Sequence, residues 1–470
     1  MEFSNLFFLY IFLPLTLAVY FLVPGLRWKN RVLIAASLIF YSFGKPAYLL
    51  LLLFTAMGNY VLGFYVLPKH RKSLWIAIAF NLVFLCFFKY TNFLLGTFGL
   101  HGSDGNGVLK LAQPLGISFY TFQMISYHVD IYRRTARPAR SFSSLLLYIA
   151  MFPKMVMGPI VRYQEVAVQL RQRRLNSKAV FDGAVRFLVG LSKKVLIADY
   201  CGKVIIELAG QKVGAALWLT ALMFMFRIYF EFSGYSDMAI GLGKIFGFRY
   251  PENFDRPYMS SSITEFWRRW HMTLGSFFRD YVYIPLGGNR RGKARQILNL
   301  LIVWALTGLW HGASWNYVLW GIYFFVLLSV EKQLLPKLEH LPYVLRLLGT
   351  MFFVLMGWVI FYHDGASLAQ IGDSFARMFG KGKFMSDIVS VKLRNSLPLL
   401  LLCVLGSSCV PRMIANLWRS KFAVGLNAKT VSVKNVIYAV GIFCFAALLL
   451  YFCTASLVGT TSAPSIYASF

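Results

Sequence analysis

Apolar residues run through this chain in long blocks broken by short polar connections. The first block, residues 6–23, carries no charge, and others begin near Val32, Tyr48, Leu74, Phe142, Val180, Ala215, Ile297, Tyr343, Leu397 and Val436. Each is long enough, or nearly so, for a helix crossing a bilayer, which takes ~20 residues. The pattern predicts an all-α polytopic membrane protein of about 11–12 transmembrane helices. Residues 116–130, 151–161 and 308–312 are broken or short, and re-entrant segments are expected there. No linker, internal repeat or low-complexity tract divides the chain, so residues 1–470 read as one membrane-embedded domain.

The polar connections set the expected orientation. The flank Met-Glu-Phe-Ser-Asn lacks the basic start and small-residue cleavage site of a signal peptide, so the first block is expected to stay as a membrane helix. It also lacks basic residues, whereas the next connection has Arg27, Lys29 and Arg31. Arg419, Lys421, Lys429 and Lys434 precede the last block, and residues 459–470 carry no charged side chain. The positive-inside rule then puts both termini outside the cytoplasm and favours an even number of spans. The expected location is a bacterial cytoplasmic (inner) membrane.

Composition agrees with this class. Hydrophobic residues make up 58 % and charged residues 14 %, at a mean hydropathy of +0.60. A net charge of +30 would suggest nucleic acid in a soluble protein. Here the basic residues sit in connections between apolar blocks, where the positive-inside rule accounts for most of them and contact with anionic lipid or an anionic cosubstrate for some. The six cysteines lie in or beside apolar blocks without C-x-x-C spacing, and neither a metal site nor a structural disulfide is expected.

Polar groups within apolar sequence mark places where chemistry can occur. SFYTFQMISYHVDIYRR, residues 118–134, holds His128 and Asp130, and residues 152–162 combine two prolines with a glycine and Lys154. Both fit a polar lining that satisfies backbone freed at helix breaks. Glu231 and Asp237 could do acid/base work as a pair, but Arg227 and Lys244 nearby explain them equally well as ion pairs.

Residues 250–292 are the densest stretch. Ser262 and Glu265 fit a capping box, so a helix should start there. Along it Phe266, Trp267, Trp270, Leu274, Phe277 and Phe278 alternate with Arg268, Arg269, His271 and Arg279, which predicts one amphipathic interfacial helix. Its basic residues either hold phosphates or snorkel to headgroups.

His311 stands inside residues 297–330, 34 positions without Asp, Glu, Lys or Arg. A helix from Ile297 to Leu309 rises roughly 20 Å, short of a bilayer core, and Gly308 and Gly312 bracket the histidine where it can break. Trp310 and Trp315 are expected to enclose it at membrane mid-depth. A dry site favours the neutral imidazole, which makes His311 a candidate general base. The alternative is a histidine bonding a carbonyl freed at a helix break.

TEFWRRWHMTLGSFFRDYVYIPLGG (264–288) and LTGLWHGASWNYVLWG (306–321), with FPKMVMGPIVRY (152–163) and FSGYSDMAIG (232–241), resemble the membrane-bound O-acyltransferase family in its bacterial alginate O-acetyltransferase-like branch. The likeness covers essentially the whole chain. It implies a ring of membrane helices, with re-entrant and interfacial ones, around a central funnel or tunnel where a cytoplasmic acyl thioester meets an acceptor from the other face. It also implies that His311, at the family's W-H-G position, is the main catalytic residue, with His271 at the second histidine position. Acyl transfer needs a base, for which His311 is the choice, and oxyanion donors from residues 308–313, Asn316 or an indole N–H. His271 either orients the donor or assists proton movement. Trp310, Trp315, Asn316, Arg268 and Arg269 are expected to line the tunnel or donor site.

The ending SIYASF, 465–470, resembles an aromatic-rich tail of relatives whose tyrosine relays the acyl group outward. Tyr467 and Phe470 match, and Ser465 and Ala468 replace aromatic positions. The alternative is an ordinary chain terminus. The resemblance implies acetyl-CoA or another thioester as donor substrate, with no bound cofactor. It implies a hydrolase-like extracytoplasmic acetyltransferase partner and a polysaccharide acceptor such as alginate or peptidoglycan. D-alanyl transfer from an acyl carrier protein is the rival within the family. A transporter or flippase for a lipid-linked saccharide, and a scaffold for a separate acetyltransferase, are rivals of other classes.

Overall fold

The computed structural model describes residues 2–66, 70–100, 109, 112–338, 340–422 and 433–459, and among them it is helical without a β-strand. In chain order the α-helices are α1 (Leu13–Leu22), α2 (Gly25–Ser42), α3 (Ala47–Tyr65), α4 (Arg71–Thr97), α5 (Ile117–Tyr132), α6 (Phe142–Ala150), α7 (Tyr163–Val166), α8 (Ser177–Ser192) and α9 (Asp199–Glu207). They continue as α10 (Gly214–Ile245), α11 (Ile263–Arg269), α12 (Met272–Phe278), α13 (Lys293–His311), α14 (Trp315–Leu338), α15 (Tyr343–Tyr362), α16 (Leu368–Met378), α17 (Asp387–Ser407), α18 (Val410–Phe422) and α19 (Val433–Val458).

Among the described residues, seven helices are long and apolar enough to cross a membrane: α3, α4, α10, α14, α15, α17 and α19. The protein is therefore a multi-pass membrane protein. Other apolar blocks became something else. The block near Phe142 is the nine-residue α6, buried from Leu145 to its end, and the one near Val180 is α8, which carries Arg186. Hydropathy cannot tell a helix facing lipid from one buried in protein, and α10, with 72 % of its apolar window buried, shows how far the two diverge.

The expected breaks are partly displaced. Residues 117–132 form the continuous helix α5, entered through Gly116 in left-handed conformation (φ 68°). A Cβ there would stand 2.3 Å from the Met155 carbonyl oxygen, so the position requires glycine. Residues 308–311 stay helical and the break falls at Gly312, which is extended. Residues 151–161 are irregular beyond a 3₁₀ turn, Phe152–Lys154.

Contacts group the chain into two compact units. The first comprises Met1–Ala184, Ser236–Glu252 and Thr273–Ser314. Many of its buried polar residues bond to one another. Asn59 and Asn81 exchange side-chain amide bonds (3.0 and 2.7 Å) across α3 and α4, and His128 Nε2–H donates to Asn59 Oδ1 (2.8 Å) from α5. The Tyr281 hydroxyl donates to Asp130 (2.8 Å), and Arg162 pairs with Asp280 (2.7 Å). The irregular segment is tied down as well. Its Phe152 N–H donates to Ser37 Oγ (3.1 Å) and its Ile160 N–H to Thr273 Oγ1 (2.9 Å), while Val161 accepts from the Tyr148 hydroxyl (2.9 Å). Lys154, fully buried, donates to Gln123 Oε1 (2.6 Å) and to the Tyr148 carbonyl. Both polar stretches thus bond backbone and buried polar atoms, although Ser118 Oγ, the Tyr120 hydroxyl, Gln123 Nε2, His128 Nδ1 and Asp130 Oδ2 are buried without a hydrogen-bond partner.

The second unit comprises Val185–Tyr235, Asn253–Met272 and Trp315–Phe470. An aromatic cluster joins α11, α14 and α15: Trp267 meets Phe324 at 4.8 Å, Trp320 meets Phe361 at 5.3 Å, and Trp270 meets Trp358 at 4.9 Å between ring centroids. Such pairs add ~0.5–1.5 kcal/mol each beyond buried area. Buried Glu231 pairs with Arg227 one turn earlier (3.6 Å), the ion-pair reading of that carboxylate.

Candidate active site

His311 is the last residue of α13 and is 6 % exposed. A helix end leaves its final carbonyls without intrahelical partners, and buried ones need donors from elsewhere. Two consecutive residues of α4 supply them. The Lys89 ammonium donates to the Trp310 carbonyl and the Tyr90 hydroxyl to the Leu309 carbonyl (2.7 Å). The backbone leading directly into His311 is therefore clamped by a helix more than 200 residues earlier in the chain.

Side-chain packing fixes the same turn. The Trp310 indole stacks on Phe122 of α5 (5.7 Å, 17° between planes) and meets Phe119 edge-on (5.7 Å), in an apolar cluster with Ile160, Leu274, Phe277 and Phe278. The His311 ring lies 4.9 Å from that indole, nearly perpendicular to it. Trp310 thus takes the flanking position expected of it, whereas Trp315, the first residue of α14, is 57 % exposed. A buried imidazole on a pinned backbone, packed against aromatic rings, is suited to move a proton with little reorganisation.

His271 belongs to the second unit and has its own support. The single amphipathic helix expected from Ser262 onward is broken: α11 ends at Arg269, α12 starts at Met272, and His271 sits between them with φ 44°, a left-handed conformation rare outside glycine. The helical spacing of its aromatic and basic residues concealed this break. Asn253 holds it open, its carbonyl accepting from the Met272 N–H (2.9 Å) and its side-chain oxygen from His271 Nδ1–H (3.0 Å). An amide oxygen only accepts, so the neutral ring carries its lone pair on Nε2. Phe232 packs edge-on against the imidazole (4.6 Å). Strain of this kind persists where the surroundings over-determine it, often at functional sites.

The start of α11 matches the sequence in part. Ser262 Oγ accepts from the Glu265 N–H (3.0 Å), but the Glu265 carboxylate turns to Ser261 (2.7 Å to its N–H) and Arg269 (2.6 Å). The remaining N–H groups of this turn are met from α14, where Glu331 accepts from Ile263 and Thr264. Arg269 is thereby occupied in an ion pair, and Arg268 is exposed. Buried Asn316 donates to the Phe361 carbonyl (3.3 Å), which ties α14 to α15. Tyr467, with Ser465, Ala468 and Phe470, lies outside the described residues.

Sequence reasoning missed Lys89, Tyr90, Asn253 and Glu331. A signal existed for Lys89: it follows residues 73–88, which contain no charged side chain, and a lone lysine at such depth requires a purpose.

Residues 133–365 match the model of the membrane-bound O-acyltransferase family. The chain is 37 % identical to a probable alginate O-acetylase of Azotobacter vinelandii, over 84 % of this chain and 81 % of that protein. A peptidoglycan O-acetyltransferase of Helicobacter pylori is 35 % identical over 76 % of both chains. A teichoic acid D-alanyltransferase of Bacillus subtilis is 27 % identical over 54 % of this chain and 69 % of that protein.

Proposed function

The chain belongs to the membrane-bound O-acyltransferase family, and from that premise we propose that it carries an acetyl group from a cytoplasmic acyl thioester, acetyl-CoA or another, toward O-acetylation of a cell-envelope or secreted polysaccharide. That it is a membrane O-acyltransferase follows from its kinship; the donor, acceptor and catalytic residues are our reading. The observation that carries it is the clamping of His311 at the end of α13 by Lys89 and Tyr90.

In this reading the His311 imidazole removes the proton from an acceptor hydroxyl as its oxygen attacks the thioester carbonyl. The carbon–oxygen bond forms, the tetrahedral oxyanion collapses, and the carbon–sulfur bond breaks. The imidazolium then returns its proton to the departing thiolate, which restores the enzyme. His271, whose lone pair lies on Nε2 while Asn253 holds Nδ1–H, assists proton movement or orients the donor. Tyr467 would accept the acetyl group as an aryl ester and release it to a hydrolase-like extracytoplasmic partner, since a phenol leaves more readily than an alkyl alcohol.

The test is alkali-releasable acetate in the envelope and secreted glycan of cells producing wild type or His311→Ala at matched membrane levels. Loss of the ester in a folded variant supports His311 as the base. Equal release from both, above a strain lacking the protein, would make His311 structural. D-alanine in the same extract, in place of acetate, would move the donor to an aminoacyl carrier, a reading kept open by the D-alanyltransferase relative.

A further inference from the structure

The first unit contains a cavity of about 460 Å³, away from the residues described above around His311 and His271, lined by Arg27, Arg31, Arg140 and Arg171. Three separate parts of the chain bring these arginines to one cavity: Arg27 and Arg31 stand one turn apart on α2, Arg140 precedes α6, and Arg171 follows α7. No Asp or Glu lines the cavity, and among the described residues none of the four arginines has an acidic partner. Arg31 lies over the Trp28 ring (4.5 Å) and Arg171 bonds to the Tyr163 side chain, but neither contact neutralises the charge, whereas other arginines of this unit are used differently. Arg162 pairs with Asp280, and Arg173 is spent on structure, donating to Asn30 Oδ1 (2.7 Å), the Phe246 carbonyl (2.9 Å) and the Tyr20 hydroxyl (3.1 Å).

Those structural bonds make the walls firm. Asn30 passes the connection on by donating to the Leu170 carbonyl (2.9 Å), so the arginine-bearing turn of α2 is held against the segment that presents Arg171. Ser141, Ser143 and Ser144 also line the cavity, their hydroxyls bonded to one another (3.1 and 3.0 Å) at the N-cap of α6. Four exposed cations lining one cavity that holds no carboxylate repel one another, and a bound anion relieves this. Guanidinium forks and serine hydroxyls together are the donor set that recognises phosphate oxygens.

The setting narrows the source. Leu26 and Ile34 form an apolar edge to the cavity, and beside it Leu22 is 81 % and Trp28 52 % exposed. Exposed apolar and tryptophan side chains next to a basic turn mark a membrane–water interface. A cavity of this size accommodates a phosphorylated headgroup.

We propose that this cavity binds a phosphate-bearing anion, as the headgroup of an anionic phospholipid or as the same chemistry free in solution. The site stands independently of the acyl-transfer reading.

The test uses the purified full-length protein in detergent, with thermal unfolding followed at constant ionic strength. One arm titrates inorganic pyrophosphate against sodium chloride. The other titrates mixed micelles containing phosphatidylglycerol or cardiolipin against phosphatidylcholine. The wild-type midpoint should rise saturably, and in Arg27→Gln/Arg31→Gln and in Arg140→Gln the half-saturating concentration should increase about tenfold for each arginine removed. A response to anionic lipid alone identifies the lipid source, and a response to both shows that free phosphate suffices. Arg140→Gln, in a connection rather than a helix, serves if the double variant does not fold. The proposal is overturned if neither ligand shifts the wild type beyond its control, or if the variants respond like the wild type.

Discussion

Lys89 and Tyr90 are expected to control the rate of acyl transfer without touching the acyl group. Their donors cap the carbonyls of Trp310 and Leu309, two of the last four of α13, while the Gly308 carbonyl receives only a long bond from Gly312 (3.4 Å). Tyr90→Phe removes a hydroxyl and leaves a buried carbonyl unsatisfied, at a cost of about 1–3 kcal/mol to that turn. Lys89→Met preserves much of the side chain's length but removes the other donor at a similar cost, offset by no longer burying an amino group. Each loss is small against the stability of the whole chain but large for the one turn that sets His311. Displacement of a reacting group by ~1 Å costs about 100-fold in rate. Each single variant should therefore acylate roughly 5–150-fold more slowly and the double variant at least about 100-fold more slowly. The assay is the initial rate of ester formation in membrane vesicles supplied with radiolabelled acetyl-CoA, with protein level and unfolding midpoint measured alongside. A double variant as fast as wild type at equal level would refute the clamp; slowed transfer only with a collapsed midpoint would assign these residues to folding.

Other outcomes are equally specific. Gly116→Ala places a methyl group against the Met155 carbonyl and forces alanine to positive φ, so the unfolding midpoint should fall by an amount corresponding to at least ~1–2 kcal/mol. Asn253→Ala removes the acceptor of His271 Nδ1–H and frees the imidazole to change tautomer, and transfer should slow by about tenfold or more even when the midpoint is held. An Asn253→Ala enzyme with unchanged rate would show that the Asn253 bond to His271 is not needed for the chemistry. Tyr467→Phe should abolish acetate delivery to the glycan while thioester binding persists; retention of full delivery would remove the relay.

Much of this molecule was legible from one dimension. Helical class and membrane character follow from block hydropathy, because each span must satisfy its own backbone within a contiguous segment. The Ser262 cap is local too, spanning three residues. The W-H-G segment singled out His311 because a titratable group in a long charge-free run is unusual wherever the rest of the chain lies.

What the tertiary structure alone decided concerns groups far apart in sequence. Lys89 and Tyr90 reach carbonyls 221 and 219 residues away, the arginine cavity draws on three segments, and Glu331 caps a helix 67 residues before it. The break at His271 was hidden for the same reason: the aromatic and basic spacing continues through it, and Asn253, 18 residues earlier, holds the left-handed turn. Local pattern records what a segment prefers by itself. Which donor satisfies a buried carbonyl, and which cations share a cavity, depends on chain closure that brings distant side chains within hydrogen-bond reach.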